Sequence, residues 1–178
     1  MDDSPHILPP LTLILGGQRS GKSAFAENLL HEGAVYLATG HASDDEMAER
    51  ISAHQDRRGE GWITVEEPLD LVKALDRARK LYADKPVLID SLGMWVSNML
   101  HQGLAPVVEA QAIARAMHAH PAPVIVVSEE VGLGVIPMNA VARSFVDALG
   151  IVNQITATQA DRVMLVIAGL PQTLKTNA

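Results

Sequence analysis

The sequence predicts a single α/β domain with a mostly parallel sheet flanked by helices. Two observations lead to this prediction. Short, β-branched apolar runs alternate with helical patterns along the chain, and the 178 residues are 48% hydrophobic and 20% charged. Apolar runs without polar alternation are typical of strands that are buried on both faces. Strands that alternate with helices in this way form βαβ units with right-handed crossovers.

The same patterns predict each element in order. Strands are expected at 11–15, 34–38, 63–65, 87–89, 124–127 and 163–167, and helices at about 22–31, 44–56, 68–82, 92–102, 107–120 and 138–159. The second helix begins with a capping box, because Ser43 is followed three residues later by Glu46. After the strand at 124–127, the residues Gly132, Gly134 and Pro137 predict a loop. Ligands of open α/β sheets bind at the carboxyl ends of the strands, where this loop is expected to lie.

Composition excludes several classes of protein. A net charge of −7 without a basic stripe argues against a nucleic-acid partner. The absence of cysteine excludes disulfides and thiol catalysis and fits a cytoplasmic protein. No apolar run approaches the roughly 20 residues that span a bilayer, so no membrane span is expected. Residues 1–10 are acidic and contain proline, and we expect a flexible lead-in there.

A phosphate-binding loop follows the first predicted strand. It consists of Gly16, Gly17, Gln18, Arg19, Ser20, Gly21, Lys22 and Ser23. Glycines at both ends of the G-x-x-x-x-G-K-S spacing let the backbone curl, so that successive N–H groups point at one anion. The lysine adds a mobile positive charge, and the Ser23 hydroxyl can bind Mg²⁺. An ordinary glycine-rich turn is the alternative. The position between a strand and a helix favours a nucleoside-triphosphate site in a single P-loop NTPase-like catalytic domain at 11–178.

Asp90 ends the apolar segment 86–90. In phosphate-loop proteins, an aspartate at such a strand end holds Mg²⁺ beside the serine or threonine of the loop, here Ser23. The alternative is that Asp90 only caps the next helix. The strand-end position favours the metal role.

His54 lies in segment 50–58, which reads RISAHQDRR. On the predicted second helix it shares a face with Met47 and Ile51, which is typical of a core or boundary histidine. A neutral imidazole can also attack phosphorus, and the two arginines that follow could hold a triphosphate. The residues alone leave both interpretations open.

Further segments carry a family resemblance when they are taken together with the phosphate loop. In chain order they are Ala38-Thr39-Gly40, Asp44-Asp45-Glu46-Met47, Arg50-Ile51-x-x-His54, Trp62-x-Thr64-x-Glu66, Asp90-Ser91-Leu92-x-x-Trp95-x-x-Asn98, Glu130-Val131-Gly132-x-Gly134-x-x-Pro137, Ala142-Arg143-x-Phe145-x-Asp147 and Asn153-Gln154. Over about residues 11–171, the chain resembles the bifunctional adenosylcobinamide kinase / adenosylcobinamide-phosphate guanylyltransferase family of cobalamin biosynthesis.

The resemblance implies two reactions. A nucleoside triphosphate, ATP or GTP, phosphorylates adenosylcobinamide, and GMP from GTP then passes through an enzyme histidine to give adenosylcobinamide-GDP. The histidine that matches the family's nucleophile is His54, and Lys22 and Mg²⁺ would stabilise the leaving pyrophosphate. The implied nucleotide contacts outside the loop are Gly40, His41, Ala42, Gln55, Asp56, Arg57, Arg58, Glu66 and Asp90. The resemblance also implies a homotrimer.

Four positions depart from the family's commoner pattern. Ser91 stands where cysteine is frequent, Gly93 where threonine is frequent, Glu129 where asparagine is usual, and Gly59 where proline is usual. The change at Glu129 adds a negative charge to the expected site. The alternatives are another P-loop small-molecule kinase without a histidine intermediate, or a non-enzymatic nucleotide switch. Against the switch, the chain has no guanine-reading Asn-Lys-x-Asp motif.

Overall fold

The computed structural model describes residues 8–30, 32–40, 59 and 61–177. The strands are β1 (Leu11–Gly16), β2 (Val35–Ala38), β3 (Ile63–Glu66), β4 (Val87–Asp90), β5 (Val124–Glu129), β6 (Arg162–Ile167) and β7 (Leu170–Thr176). The helices are α1 (Lys22–Asn28), α2 (Leu71–Leu81), α3 (Leu92–His101), α4 (Pro106–His118) and α5 (Ala140–Gln159). All six predicted strands are present within one or two residues of their expected ends. The predicted helix over 44–56 lies outside the described residues.

The seven strands form one sheet in the order β3-β2-β4-β5-β1-β6-β7. Every neighbouring pair is parallel except β6 and β7, which are antiparallel. The predicted α/β class with a mostly parallel sheet is therefore confirmed. Because the carboxyl ends of parallel strands share one edge, the ends of β1, β2, β3, β4 and β5 line the same side of the molecule.

Helices cover both faces of the sheet, and this explains the unbroken apolar strands. Alternate residues of β1 enter two different cores. Leu13 packs in the core that contains Trp95 and Leu149, and Ile14 packs in the core that contains Ala26 of α1. All five side chains are fully buried. Two-sided burial removes the polar alternation that a half-exposed strand would show.

The sequence patterns did not predict β7. Its burial pattern is almost entirely exposed, and it contains Pro171, which lacks the N–H that an interior strand needs. It pairs with β6 across a two-residue turn in which Ala168 and Gly169 have φ of 52° and 78°. Positive φ at both positions is the geometry of a tight hairpin turn. An edge strand of this kind lacks the apolar run from which the other strands were recognised.

No helix in the described part of the chain combines the length and apolarity that a bilayer crossing requires. The division into a lead-in at 1–10 and one domain at 11–178 stays a prediction. Residues 1–7 lie outside the described ranges.

Candidate active site

The phosphate loop has the predicted context, because β1 ends at Gly16 and α1 begins at Lys22. Within the loop, Arg19 and Gly21 have positive φ, at 56° and 92°, on either side of Ser20. Backbone that alternates between left- and right-handed conformations turns successive N–H groups toward one side and forms an anion-binding concavity. The Ser20 hydroxyl is buried and lacks a hydrogen-bond partner among the described residues. A buried donor of this kind requires a partner, which an anion could supply.

The two end glycines of the motif are required for different reasons. Gly21 has the left-handed backbone that the sequence predicts. Gly16 does not, but a Cβ there would lie 2.8 Å from the Val166 carbonyl oxygen and 3.3 Å from the Cβ of Ser20. At Gly17, a Cβ would meet no atom of the described residues within 4 Å. Gly16 is therefore needed because the backbone there lies close both to β6 and to the Ser20 side chain, whose Oγ is the nearest atom.

The turn between β6 and β7 supports the loop from outside the motif. The Gly169 N–H donates to the Ser20 carbonyl at 2.8 Å, and a Cβ on Gly21 would lie 3.2 Å from the Gly169 Cα. The sequence patterns predicted neither β7 nor this contact. The Ala168-Gly169 pair after a strand was the signal that could have indicated the turn.

Lys22 is nearly buried, and its ammonium contacts two protein groups. Its side chain is 8% exposed, and Nζ donates to the Gly17 carbonyl at 3.2 Å. The same Nζ lies 3.4 Å from Oε1 of Glu129, at the end of β5. A buried ammonium requires an opposite charge or strong hydrogen bonds, and here it has both.

Asp90 lies at the end of β4, as predicted, and its carboxylate is held by a neighbouring strand. The Tyr36 hydroxyl of β2 donates to Asp90 Oδ2 at 3.1 Å. The alternative role as a helix cap is wrong, because the N-cap of α3 is Ser91, whose Oγ accepts from the Met94 N–H at 3.3 Å. The Asp90 carboxylate therefore remains at the strand edge, where a cation or a nucleotide can reach it.

The donor set around Asp90 and Ser23 fits magnesium. No group of three or more His, Cys, Asp or Glu side chains that could hold a metal occurs in the described ranges. One carboxylate and one hydroxyl suit Mg²⁺, which keeps several waters and takes phosphate oxygens as ligands. Strands β4 and β1 are separated by β5 alone. At about 4.8 Å per strand, the two backbones are therefore roughly 10 Å apart, and side chains, metal and waters can span the gap. The assignment stays a prediction.

The remaining predicted contacts divide into two groups. Gly40 follows β2 and Glu66 ends β3, so both are on the same edge as the loop. In the sheet order, β3 is four strands from β1, about 19 Å away at the usual spacing. Glu66 and the loop therefore cannot contact the same phosphate. The residues His41, Ala42, His54, Gln55, Asp56, Arg57 and Arg58 lie outside the described part of the chain and stay predictions.

Two of the four departures from the family pattern, Ser91 and Gly93, meet a third, Glu129. The Ser91 hydroxyl donates to Glu129 Oε2 at 2.9 Å. The Cα of Gly93 faces the same carboxylate, because a Cβ there would lie 2.8 Å from Glu129 Cδ and closer still to Oε2. In the sequence these positions are separate, and no motif links residue 129 to residues 91 and 93. In the structure they form one unit beside Lys22.

Comparison with known proteins shows the family of this chain. The profile of a family described as cobinamide kinase / cobinamide phosphate guanyltransferase matches residues 12–174. This chain belongs to that family. A Pseudomonas aeruginosa member, named bifunctional adenosylcobalamin biosynthesis protein CobP, is 41% identical over 170 residues, which are 92% of this chain and 96% of the relative. Proteins named bifunctional adenosylcobalamin biosynthesis protein CobU, from Salmonella typhimurium and Escherichia coli, are each 35% identical over 93% of this chain and 99% of their own length.

Solved structures of more distant proteins share the fold. The flagellar accessory protein FlaH of Methanocaldococcus jannaschii superposes with a TM-score of 0.57 at 17% identity, over 96% of this chain and 80% of that one. A KaiC-like protein of Pyrococcus horikoshii gives 0.54 at 16% identity, over 87% and 69%. At such low identity the likeness concerns the fold alone, and it confirms the predicted P-loop NTPase architecture of this family member.

Proposed function

We propose that the chain is a bifunctional transferase of cobalamin biosynthesis that phosphorylates adenosylcobinamide and then transfers GMP to the product. The observation that carries the proposal is family membership across residues 12–174, together with an intact phosphate loop that shares one sheet edge with Asp90. The names of these relatives describe bifunctional proteins of adenosylcobalamin biosynthesis. Both reactions break a phosphoanhydride bond, and one cradle for phosphates can serve both.

In the kinase step, the aminopropanol hydroxyl of adenosylcobinamide attacks the γ-phosphorus of the triphosphate. The bond between the γ-phosphorus and the bridging oxygen breaks, the nucleoside diphosphate leaves, and the hydroxyl loses its proton. The loop amides and Lys22 hold the phosphates and stabilise the charge that moves onto the leaving oxygen. Stabilisation of this kind is worth several kcal/mol in enzymes where one such donor has been removed.

In the guanylyltransferase step, the His54 imidazole attacks the α-phosphorus of GTP and pyrophosphate leaves. A phosphate oxygen of adenosylcobinamide phosphate then attacks the same phosphorus, the P–N bond breaks, and adenosylcobinamide-GDP is released. The phosphoramidate divides one difficult displacement into two easier ones. Arg57 and Arg58 would bind the phosphates of GTP, and Gly40, Glu66 and the other contacts implied by the resemblance would hold the guanylate.

Ser23 and Asp90 would hold Mg²⁺, which when bound supplies positive charge to the phosphates. By family resemblance we also propose a cytoplasmic homotrimer. Light scattering should then give a mass three times that of the 19.1 kDa chain. A monomer mass would contradict the trimer and leave the reaction chemistry unaffected.

Labelling with α-³²P-GTP tests the proposal. Wild type and the control His101→Asn, which changes an exposed histidine at the end of α3, should carry acid-labile, alkali-stable label. His54→Asn should carry none, yet still phosphorylate adenosylcobinamide. Equal labelling of all three proteins would remove His54 from the mechanism. Kinase activity without label in wild type would identify a plain P-loop kinase, and GTP hydrolysis without either transfer would identify a switch.

A further inference from the structure

Glu129 places a carboxylate directly on the phosphate-loop lysine. Its Oε1 lies 3.4 Å from Lys22 Nζ, and its Oε2 accepts from the Ser91 hydroxyl at 2.9 Å. The side chain is only 21% exposed. The backbone around it is also fixed. The Glu129 carbonyl accepts from the Asn153 side-chain amide at 3.1 Å, and the next N–H, of Glu130, donates to the Gly16 carbonyl at 3.0 Å.

The space for this carboxylate exists because residue 93 is glycine. A Cβ at that position would overlap the carboxylate, whereas it would lie at 3.4 Å from Glu129 Cγ, an ordinary contact distance. Asparagine at 129 has no Oε2, and its amide can turn about the Cβ–Cγ bond away from a Cβ at 93. Glutamate at 129 therefore depends on glycine at 93, and the group that would be displaced is the carboxylate whose Oε1 lies near Lys22.

The ammonium of a lysine side chain that is only 8% exposed needs a negative partner, and Glu129 supplies it. A bound triphosphate offers its own oxygens to the same ammonium. It also brings several negative charges to within a few ångströms of the Glu129 carboxylate. Like charges at that distance in a partly buried site repel by several kcal/mol before solvent and metal screening. The carboxylate and the triphosphate therefore compete for Lys22.

We propose that Glu129 is a positioning residue that sets triphosphate affinity: its carboxylate holds Lys22, and a triphosphate must displace it to bind. The carboxylate stabilises the protein without nucleotide and weakens nucleotide binding. The inference rests on the proposed function only in that a triphosphate binds this loop. It does not require either transfer reaction.

Calorimetric titration with the imido analogue of GTP (β,γ-bridged) in Mg²⁺ tests the proposal, with inorganic tripolyphosphate as a probe that lacks the base. Glu129→Gln keeps the shape of the side chain and removes its charge. We expect it to bind both probes about tenfold more tightly, in line with the loss of one nearby like charge. Its melting temperature without ligand should fall. The control Glu109→Gln removes an equal charge in the first turn of α4 and should bind like wild type.

A double-mutant cycle tests the link to Gly93. Gly93→Ala should push the carboxylate away from Lys22 and so tighten binding, with a lower melting temperature. In the Glu129→Asn background, the same methyl should change neither quantity, because the shorter side chain leaves room for it. A structural role alone would weaken binding and stability together in every variant.

The proposal is overturned if Glu129→Gln binds no more tightly than wild type, or if Gly93→Ala has equal effects in both backgrounds. It is also overturned if wild type binds neither probe. A wild type that binds the analogue but gives no guanylyl label would contradict the proposed function alone. The binding measurements and the labelling experiment therefore fail independently.

Discussion

Gly16→Ala tests whether the phosphate loop is shaped by its contact with β6. The added methyl would lie 2.8 Å from the Val166 carbonyl oxygen, and that oxygen belongs to a strand that pairs directly with β1 at this position. A backbone carbonyl in a parallel ladder cannot rotate away as a side chain can. We therefore expect an overpacking penalty of about 1–3 kcal/mol in the free energy of unfolding. For a domain of this size, the melting temperature should fall by roughly 2–12 °C.

Far-UV circular dichroism against temperature measures the change, with Gly17→Ala as the matched control. A Cβ at Gly17 meets none of the described atoms within 4 Å, so this variant should stay within about 0.5 kcal/mol of wild type. Gly16→Ala should also lose part of the stabilisation that GTP confers. Its methyl would meet the Cβ of Ser20 at 3.3 Å and so displace a residue of the anion-binding backbone. Equal melting temperatures for the two variants would refute the close-contact explanation.

Three further predictions concern the loop, the hairpin and a helix cap. Lys22→Ala should lower kcat of both reactions at least about 100-fold, as loss of one such electrostatic donor does. Full kinase activity of this variant in an assay with adenosylcobinamide would require a second nucleotide site. Ala168→Asn should raise the free energy of unfolding by about 1 kcal/mol in urea titration. The reason is that φ is 52° at this position, and asparagine tolerates the left-handed region better than alanine. A lower urea midpoint would contradict the assigned turn. Asp70→Ala removes the acceptor for the Lys73 N–H, 3.1 Å away at the start of α2, and should lower that free energy by about 1 kcal/mol. The side-chain hydrogen bond from Lys73 lowers the pKa of Asp70 below its usual 3.8. The contribution of Asp70 is therefore present above about pH 4 and lost as pH falls through the folded-state pKa, and the two proteins should converge in stability in acid. An unchanged difference at low pH would exclude the charge as its cause.

Local patterns were sufficient to predict most of the fold. The strands buried on both faces carry unbroken apolar runs, and the phosphate loop has a fixed spacing between one such strand and a helix. Strand β7 escaped prediction because its pairing depends on β6 rather than on its own composition. The exposed strand containing Pro171 resembles a loop when it is read alone. Because β7 was not predicted, the hydrogen bond from the Gly169 N–H to the Ser20 carbonyl was not predicted either.

The candidate site was predictable where one element determines a residue's place, as at Lys22 and Asp90. The role of Glu129 depends on strand order, which no local pattern encodes. Strand β5 is the fifth strand along the chain, yet it lies directly beside β1, the first strand, and separates β1 from β4. The β5 register extends to Glu129 opposite Gly16, whereas β4 ends with Asp90 opposite Val127, two residues earlier. The Glu129 carboxylate therefore lies between the phosphate loop and the start of α3. The sequence predicted only that Glu129 adds a negative charge to the site. In the structure, that charge lies beside Lys22, which a triphosphate must also reach.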